Sequence, residues 1–573
     1  MAVNTEPLTS AEIDELFGIA PPPAPNTFEF ALVLGGTVSA GAYTAGAVDF
    51  LIEALDEWTM LRDAGDARAP KHKVVLKLIT GTSGGGVNAS IAARALAFDF
   101  PHVVRATSNT DGDTGNPFYN VWINRLRLKG FLDTSDIDGG SLVSLLNGKP
   151  IDEGATYIAG FGNAKSQPPR SYVANPLRLI LTVTNLRGIP YKTPFGDGSL
   201  SESFVDHADH CRFAVAYPGS SLTDPRPDEF ALGFDDARLA RAVDWLTFSQ
   251  FARATAAFPL GFPPRPLVRP TEDYRYRVIV APSDDPSKPA VLAGRVPDWD
   301  SLIPDGETEV PSDYHFLTVD GGATDNEPIE LARTALAGVL GINPRQGDLA
   351  NRAVVLIDPF AGQAALGPSA LAPLPSIVGA IISSLLEQTR YDTQDLRLAA
   401  DAKIFSRFMI TPRRDGKIGG PALASDGLGA FLGFASPDFM RHDYFLGRAN
   451  CQAFLQKTFA LPATNRIFTG MWTDQQKNDL GIQDPSGLFL PLVPLLGNAA
   501  VPESTAPWPK HALDPEIYRD DIENRFKAIV EFEGKGGTIS SSLAWILAHV
   551  GESSVADFAI NAMKRALSDA GLS

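Results

Sequence analysis

Hydrophobic and polar positions along the chain alternate in blocks that predict strands and helices in turn. A largely apolar run from Phe28 to Leu34 ends in Gly35-Gly36, and Val48, Leu51, Ile52 and Leu55 then fall on one helical face. Val74 to Thr80 is a second β-rich run ending in glycine, followed by an alanine-rich helix over Val87 to Ala97. Leu177 to Thr184, Phe316 to Val319 and Ala353 to Ile357 read as further strands. Strands alternating with helices predict an α/β fold in three layers, α/β/α, around a mainly parallel central sheet. Long insertions rich in Gly, Pro, Asp and Ser, with scattered helices, interrupt this pattern at about 98–172 and 196–310. Loops of that length are usually functional covers. After residue 360 the pattern becomes mostly helical, apart from a strand-like run at Phe408 to Thr411 and a proline-rich stretch, Val501 to Pro509, that reads as a linker. Helical patterns near Ile522 to Phe532 and Ser553 to Leu567 follow.

The N-terminal stretch differs from this body. Thr9-Ser10-Ala11-Glu12 is a capping-box pattern for one short helix, and Pro21-Pro22-Pro23 imposes an extended lead-in. Glu6, Glu12, Asp14 and Glu15 break any signal-peptide pattern. No uninterrupted apolar run reaches bilayer-spanning length, so no transmembrane segment is expected. The best apolar stretch, Ile377 to Leu386, reads as a buried helix.

Charge narrows the function classes. The chain has 573 residues with 49 Lys plus Arg against 67 Asp plus Glu, a formal net charge of −18. A nucleic-acid partner is not expected, because phosphate neutralisation needs a basic surface. Cys211 and Cys451 are the only cysteines, which excludes a disulfide framework and points weakly to a cytoplasmic setting. His207-Ala208-Asp209-His210, beside Cys211, could ligate an ion and Asp111-Gly112-Asp113 hints at calcium, but both read better as polar loops, and neither a metal nor a cofactor is expected.

Three motifs carry chemistry. Gly81-Thr82-Ser83-Gly84-Gly85 is a G-x-S-x-G between a strand and a helix, where a strained turn lifts a serine hydroxyl out of a sheet. Gly35-Gly36-Thr37-Val38-Ser39-Ala40-Gly41 is a glycine-rich loop able to aim backbone N–H groups at an anion, although it lacks dinucleotide or P-loop spacing. Asp320-Gly321-Gly322 directly follows a strand, at the sheet edge where sites form. Alone, each is also a plain turn.

Together, in this order, the motifs resemble patatin-like phospholipases, and the resemblance runs from about Phe28 to Phe360. Ala252 to Pro259, Thr184-Asn185-Leu186, Asp358-Pro359-Phe360 and the later Asp443-Tyr444-Phe445-Leu446-Gly447-Arg448 are also similar to segments of that family, in its bacterial-type members for the last. The resemblance implies a patatin-like catalytic domain over 28–460, with the insertions noted, an N-terminal extension over 1–27 and a mostly helical region over 461–573. It implies a serine lipid acyl hydrolase with Ser83 as nucleophile, Asp320 as its general base, and an acyl-enzyme intermediate. Gly36, Thr37 and Val38 would form the oxyanion hole, with Gly84 a further candidate. The family usually has a third glycine where Thr37 stands, and often Arg or Lys where Ser39 stands. The partner expected is a lipid ester, with peripheral contact to a membrane left open. Trp122 and Phe131, in the apolar stretches Phe118 to Phe131 and Leu142 to Leu146, are candidates to line an acyl pocket. Two alternatives stand beside this reading. One is an α/β-hydrolase triad drawing on His442, His511 or His549; the other is an inactive scaffold that binds lipid or protein.

Overall fold

The structure is a computed structural model. It describes residues 2–105, 107–108, 110–137, 142–162, 170–195, 200–218, 225–234, 241–281, 290–361, 369, 377, 380, 384, 388–390, 403–534 and 552–573. Most of the apolar stretch 377–386 and His549 lie outside the described residues.

The chain opens with α1 (Ser10–Phe17), whose Thr9 and Glu12 form the predicted capping box. Then follow β1 (Thr27–Leu34), α2 (Gly41–Asp63), β2 (Lys73–Gly81) and α3 (Gly84–Ala95). The first insertion contributes short helical turns and α4 (Lys149–Gly160). Next come β3 (Val173–Phe195), β4 (Leu200–Ala216), β5 (Glu229–Gly233), β6 (Ala242–Val243), α5 (Trp245–Thr255) and β7 (Arg265–Pro270). A small hairpin of β8 (Val278–Ala281) and β9 (Val291–Gly294) precedes β10 (Asp313–Asp320), α6 (Ile329–Ala337), β11 (Arg352–Ile357) and β12 (Arg407–Ile410).

These strands form one sheet in the order β12-β11-β1-β2-β3-β4-β5-β6, with β10 joined to β3 and β7 to β10. Pairing is parallel from β12 to β3 and again from β4 to β6, and antiparallel at β3–β4, β3–β10 and β7–β10. The expected three-layer α/β fold with a mainly parallel sheet is therefore present. Alternation along β1 shows why both faces are covered. Phe28, Phe30, Leu32 and Leu34 join the large core with α2 and α3. Ala31 and Val33 pack with Leu78, Ile180 and, from α6, Ala332 and Leu336 on the other face.

Two expectations need correction. The insertion over 196–310 is not loop with scattered helices: β4 to β9 lie within it, and β4, β5 and β6 extend the main sheet. Its charged alternation, Asp206, Asp209 and Arg212, reads as loop in isolation; in the fold those side chains are paired with arginines and an aspartate from distant positions. The second concerns membrane length. The helical stretch Val38–Asp63 is long and apolar enough by composition to cross a bilayer, yet 94% of its most apolar window is buried inside the fold. It is a core helix.

Further along, α7 (Pro437–Lys457) lies against α2, and α8 (Arg519–Gly534) and α9 (Glu552–Ala570) pack together. A three-stranded sheet from Ala460–Pro462, Ile482–Asp484 and Gly487–Pro491 adds β structure that the helical pattern did not predict. The α2–α7 crossing is close: a Cβ on Gly447 would meet the Tyr43 carbonyl oxygen at 2.1 Å, so no larger residue fits. Around it lies a buried ionic group. Asp49 of α2 accepts from Tyr444 Oη at 2.7 Å, from Asn116 at 2.8 Å and from Arg448, and faces His102 at 2.8 Å. Arg448 also binds Glu53 and Glu503. The proline-rich stretch is thus fastened to α7, with Gln452 donating to Val501 O at 2.7 Å and the His442 ring against Trp508.

Candidate active site

Ser83 stands at the end of β2, where the chain turns sharply into α3. Its backbone is at φ 55°, ψ −128°, a region an L-residue enters only under constraint. The constraint is visible. A Cβ on Gly85 would lie 2.1 Å from Leu34 O, so the flanking glycine is required by close packing of the turn on β1. The Ser83 N–H donates to Thr255 Oγ1 at 3.0 Å. Thr82 Oγ1 donates to Asp325 O at 3.0 Å and lies 2.6 Å from Thr182 Oγ1. Uncharged hydroxyls from three elements therefore hold the turn. Thr255 lies within the Ala252 to Pro259 segment already noted in the sequence, but nothing in its spacing indicates this contact.

Asp320 ends β10. Its N–H donates to Ala257 O at 2.8 Å, its own carbonyl accepts from Thr184 Oγ1 at 2.8 Å, and Oδ1 accepts from the Gly322 N–H at 2.8 Å. Oδ2 is buried with no hydrogen bond of good geometry among the described residues. Burial raises the carboxyl pKa to about 6, and the neighbouring Ser83 hydroxyl and the Gly322 N–H offset part of that rise. The fold thus brings Ser83 and Asp320 together from positions 237 residues apart.

The glycine-rich loop lies beside them. Here one sequence-derived role meets an obstacle. The Gly36 N–H donates to Asn326 O at 3.2 Å, so it is already engaged by the loop that follows Asp320. The N–H groups of Thr37, Val38 and Gly84 make no backbone hydrogen bond to a neighbouring element among the described residues. Val38 sits at φ 47°, an outlier for a β-branched residue. Thr37 fills the space a third glycine would leave: its Oγ1 would be 2.2 Å from a Cβ on Gly84. Ser39 is fully buried, and both its N–H (3.2 Å) and its hydroxyl donate to Ala430 O. A long cation at position 39 could not occupy that place.

Ser83 opens onto a narrow apolar cavity with about 50 Å³ of open space. Val87, Trp122, Phe131, Ile158, Ala252 and Phe258 are among its walls. Both aromatic residues singled out from the sequence, Trp122 and Phe131, are therefore on it. Trp122 is pinned by a 2.9 Å bond from Nε1 to Asn88 Oδ1. No charged side chain lines this cavity among the described residues.

The histidines of the alternative triad lie elsewhere. His442 is buried on α7, with Nδ1 2.8 Å from Asp443 and its ring against Trp508. His511 is exposed, in a turn at φ 56°. The compact 207–210 cluster is also accounted for: Asp209 binds Arg269 at 2.9 Å, Arg277 at 2.7 Å and Tyr274 at 3.0 Å. Asp113 caps its own turn through the Gly115 N–H.

A three-layer fold with a serine elbow facing a strand-end aspartate defines the class. The sequence profile of the Patatin-like phospholipase family matches residues 32–333, and the chain belongs to that family. A protein of Sinorhizobium fredii (strain NBRC 101917 / NGR234), described as "Uncharacterized protein y4iI", is 31% identical over 536 residues, covering 85% of this chain and 72% of its own. At the level of the family, the activity is that of a lipid acyl hydrolase.

Proposed function

We propose that the protein hydrolyses carboxylic esters of phospholipids or related lipids through a Ser83–Asp320 dyad. The observation that carries the reading is the placement of Ser83, on a strained elbow, between an apolar cavity and a buried carboxylate that no cation among the described residues neutralises. Asp320 takes the hydroxyl proton as Ser83 Oγ attacks the ester carbonyl. Asp320 passes that proton to the departing alkoxide, then takes a proton from the water that attacks the acyl-enzyme and returns it to Ser83 Oγ as the fatty acid leaves. A carboxylate with its pKa near 6 is a stronger base than an exposed aspartate and remains ionised at neutral pH. The developing oxyanion meets the N–H groups of Thr37 and Val38 in the glycine-rich loop and of Gly84 at the N-terminus of α3. Gly36 supports the loop rather than donating to the oxyanion, since its N–H holds Asn326 O.

The acyl chain enters the cavity lined by Trp122 and Phe131. Ligand sites usually measure about 300–1,000 Å³, so the walls contributed by the first insertion must part for a long chain to enter. The apolar walls select the acyl part, and a polar head group stays outside them. Residues 28–460 form the catalytic part in this reading, with 1–27 and 461–573 as additions to it.

The test is a fluorophosphonate probe with peptide mapping, followed by product analysis on a panel of phospholipids, lysolipids and glycerolipids. Labelling should fall on Ser83 alone and vanish in Ser83→Ala. Stoichiometric labelling of the alanine variant, or release of no fatty acid from any lipid, would overturn the proposal.

A further inference from the structure

A second cavity, of about 590 Å³, lies on the α6 side of the sheet, the face opposite the Ser83 cavity. Strand alternation builds one wall. His210 and Arg212 of β4 point into it, while Cys211 and Phe213 between and beyond them join the large core. Arg226 and Arg277 complete that wall. Leu331, Thr334 and Ala335 of α6 form the floor opposite.

Among the described residues, the arginine wall carries more positive charge than the aspartates it is paired with. Arg212 and Arg226 share Asp228, at 3.4 and 3.2 Å. Arg277 shares Asp209 with Arg269, and Arg269 shares Asp273 with Arg241. Five arginines thus divide three aspartates, and nearby Glu229 is taken by Arg178. Arg226 Nη2 is buried with no hydrogen-bond partner among the described residues. His210 adds to the imbalance. Its Nδ1 lies 2.6 Å from Arg277 Nη1 and its Nε2 3.1 Å from Arg212 Nε, yet a neutral imidazole can accept at only one nitrogen. Burial and the surrounding guanidiniums hold its pKa well below the ordinary value, which favours the neutral ring. Burial and repulsion from Arg226 and Arg277 likewise bring Arg212 down to about 10, in spite of Asp228.

The other side of the cavity offers carboxyl groups, from Asp325, Glu327 and Glu330, with Arg390 beside them. Glu330 is bridged to Arg333 at 2.6 Å and Glu327 to Arg390 at 3.2 Å. A ligand that fits both walls has a compact dianionic group at one end and hydrogen-bond donors at the other.

We propose that this cavity binds a phosphate monoester whose remaining part bears hydroxyl or amino groups, with the phosphate held by Arg212, Arg226 and Arg277. Planar guanidiniums suit phosphate oxygens through paired N–H donors. The carboxyl-bearing wall belongs to the loop behind the candidate active site. The Asp325 carbonyl accepts from Thr82 beside Ser83, and the Asn326 carbonyl accepts from Gly36. A ligand here therefore sits one hydrogen bond behind both the elbow and the glycine-rich loop, while the binding claim stands independently of the ester hydrolase reading.

The test is calorimetric titration of the full chain in 0.15 M chloride with inorganic phosphate and with glycerol 3-phosphate, together with co-sedimentation on phosphatidylcholine vesicles with and without phosphatidic acid. Glycerol 3-phosphate should bind at a single site, more tightly than phosphate. Arg226→Gln leaves Asp228 paired with Arg212 and should weaken binding roughly tenfold or more. Ala335→Phe fills the floor without altering charge and should weaken it similarly. Binding only to phosphatidic acid vesicles, lost in both variants, would assign the same phosphate group to a lipid head group. No binding to any of the three at about 10 mM phosphate groups, or binding that both variants retain, would overturn the proposal.

Discussion

Asp320 and Asp49 are both buried aspartates, and the fold moves them in opposite directions. Asp320 is surrounded by backbone N–H groups and neutral hydroxyls, and its pKa rises to about 6. Around Asp49, burial would raise the pKa too, but His102 and Arg448 outweigh it and hold the carboxyl far below the usual range. Burial alone therefore does not decide what a carboxylate does. The absence of a cation among the described neighbours of Asp320 keeps it basic enough to take a proton. The presence of Arg448 and His102 beside Asp49 makes it a strut between α2 and α7. The difference also separates reactivity from stability, since the first site is held by neutral contacts and the second by charge.

The largest effect expected is on turnover. Ser83→Ala and Asp320→Asn should each lower hydrolysis of a simple aryl ester by about 10³-fold or more, and the double variant should be no worse than either, because residues acting as a unit are not additive. In the wild type, kcat/KM should fall roughly tenfold per pH unit below about pH 6, as Asp320 becomes protonated. A profile flat from pH 4.5 to 8 would erase the contrast with Asp49.

At Asp49 the loss should be of folding. Asp49→Asn leaves Arg448 and His102 without their shared carboxylate and should cost about 3–5 kcal/mol, read from urea unfolding. The fraction that stays folded should keep near-normal turnover. A variant as stable as the wild type would show that Asp49 is not a strut.

Asp320→Asn should have the opposite sign. Because the folded pKa of Asp320 is raised, folding favours its protonated form; the cost of the buried charge is absent below about pH 4 and fully felt above about pH 6. The asparagine variant should thus be more stable than the wild type by up to about 3 kcal/mol at pH 7.5, with the gain gone near pH 4. Thermal unfolding at both values checks this. The smallest effect belongs to His442→Gln, which should leave turnover per folded molecule within about twofold. A collapse to the Ser83→Ala level would restore a histidine-mediated mechanism.

How far these two regions were legible follows from the same contrast. The elbow could be read because its geometry is local: a strand, G-x-S-x-G and a helix lie within a few residues, and Asp320-Gly321-Gly322 marks another strand end. The Asp49 group could not be assembled, because its members stand at 49, 53, 102, 116, 444, 448 and 503 and meet only across packed helices. A signal was present: Asp49 and Glu53 interrupt an otherwise apolar helix, and a buried charge implies a partner. The insertion strands escaped because β4 carries Asp206, Asp209 and Arg212 among its core residues, a pattern that means strand only when partners from elsewhere in the chain pair with them. The use of the Gly36 N–H escaped too, since its acceptor, Asn326, lies almost three hundred residues away and offers a backbone oxygen with no sequence signature.

The joining of Asp49 to Arg448 has a consequence for synthesis. The ribosome must add about 400 residues after Asp49 before Arg448 exists, which takes roughly 20–80 s at 5–20 residues per second. Throughout that interval the long helix α2, with Asp49 and Glu53 as its two buried carboxylates, leads out of the glycine-rich loop without its covering partner α7. During translation the nascent chain therefore exposes a membrane-length apolar surface, a natural ligand for chaperones, and the loop at its head is secured only when Ala430 arrives to receive Ser39. A ribosome stalled before that point would release a chain with the serine elbow already encoded but without the support that orders it.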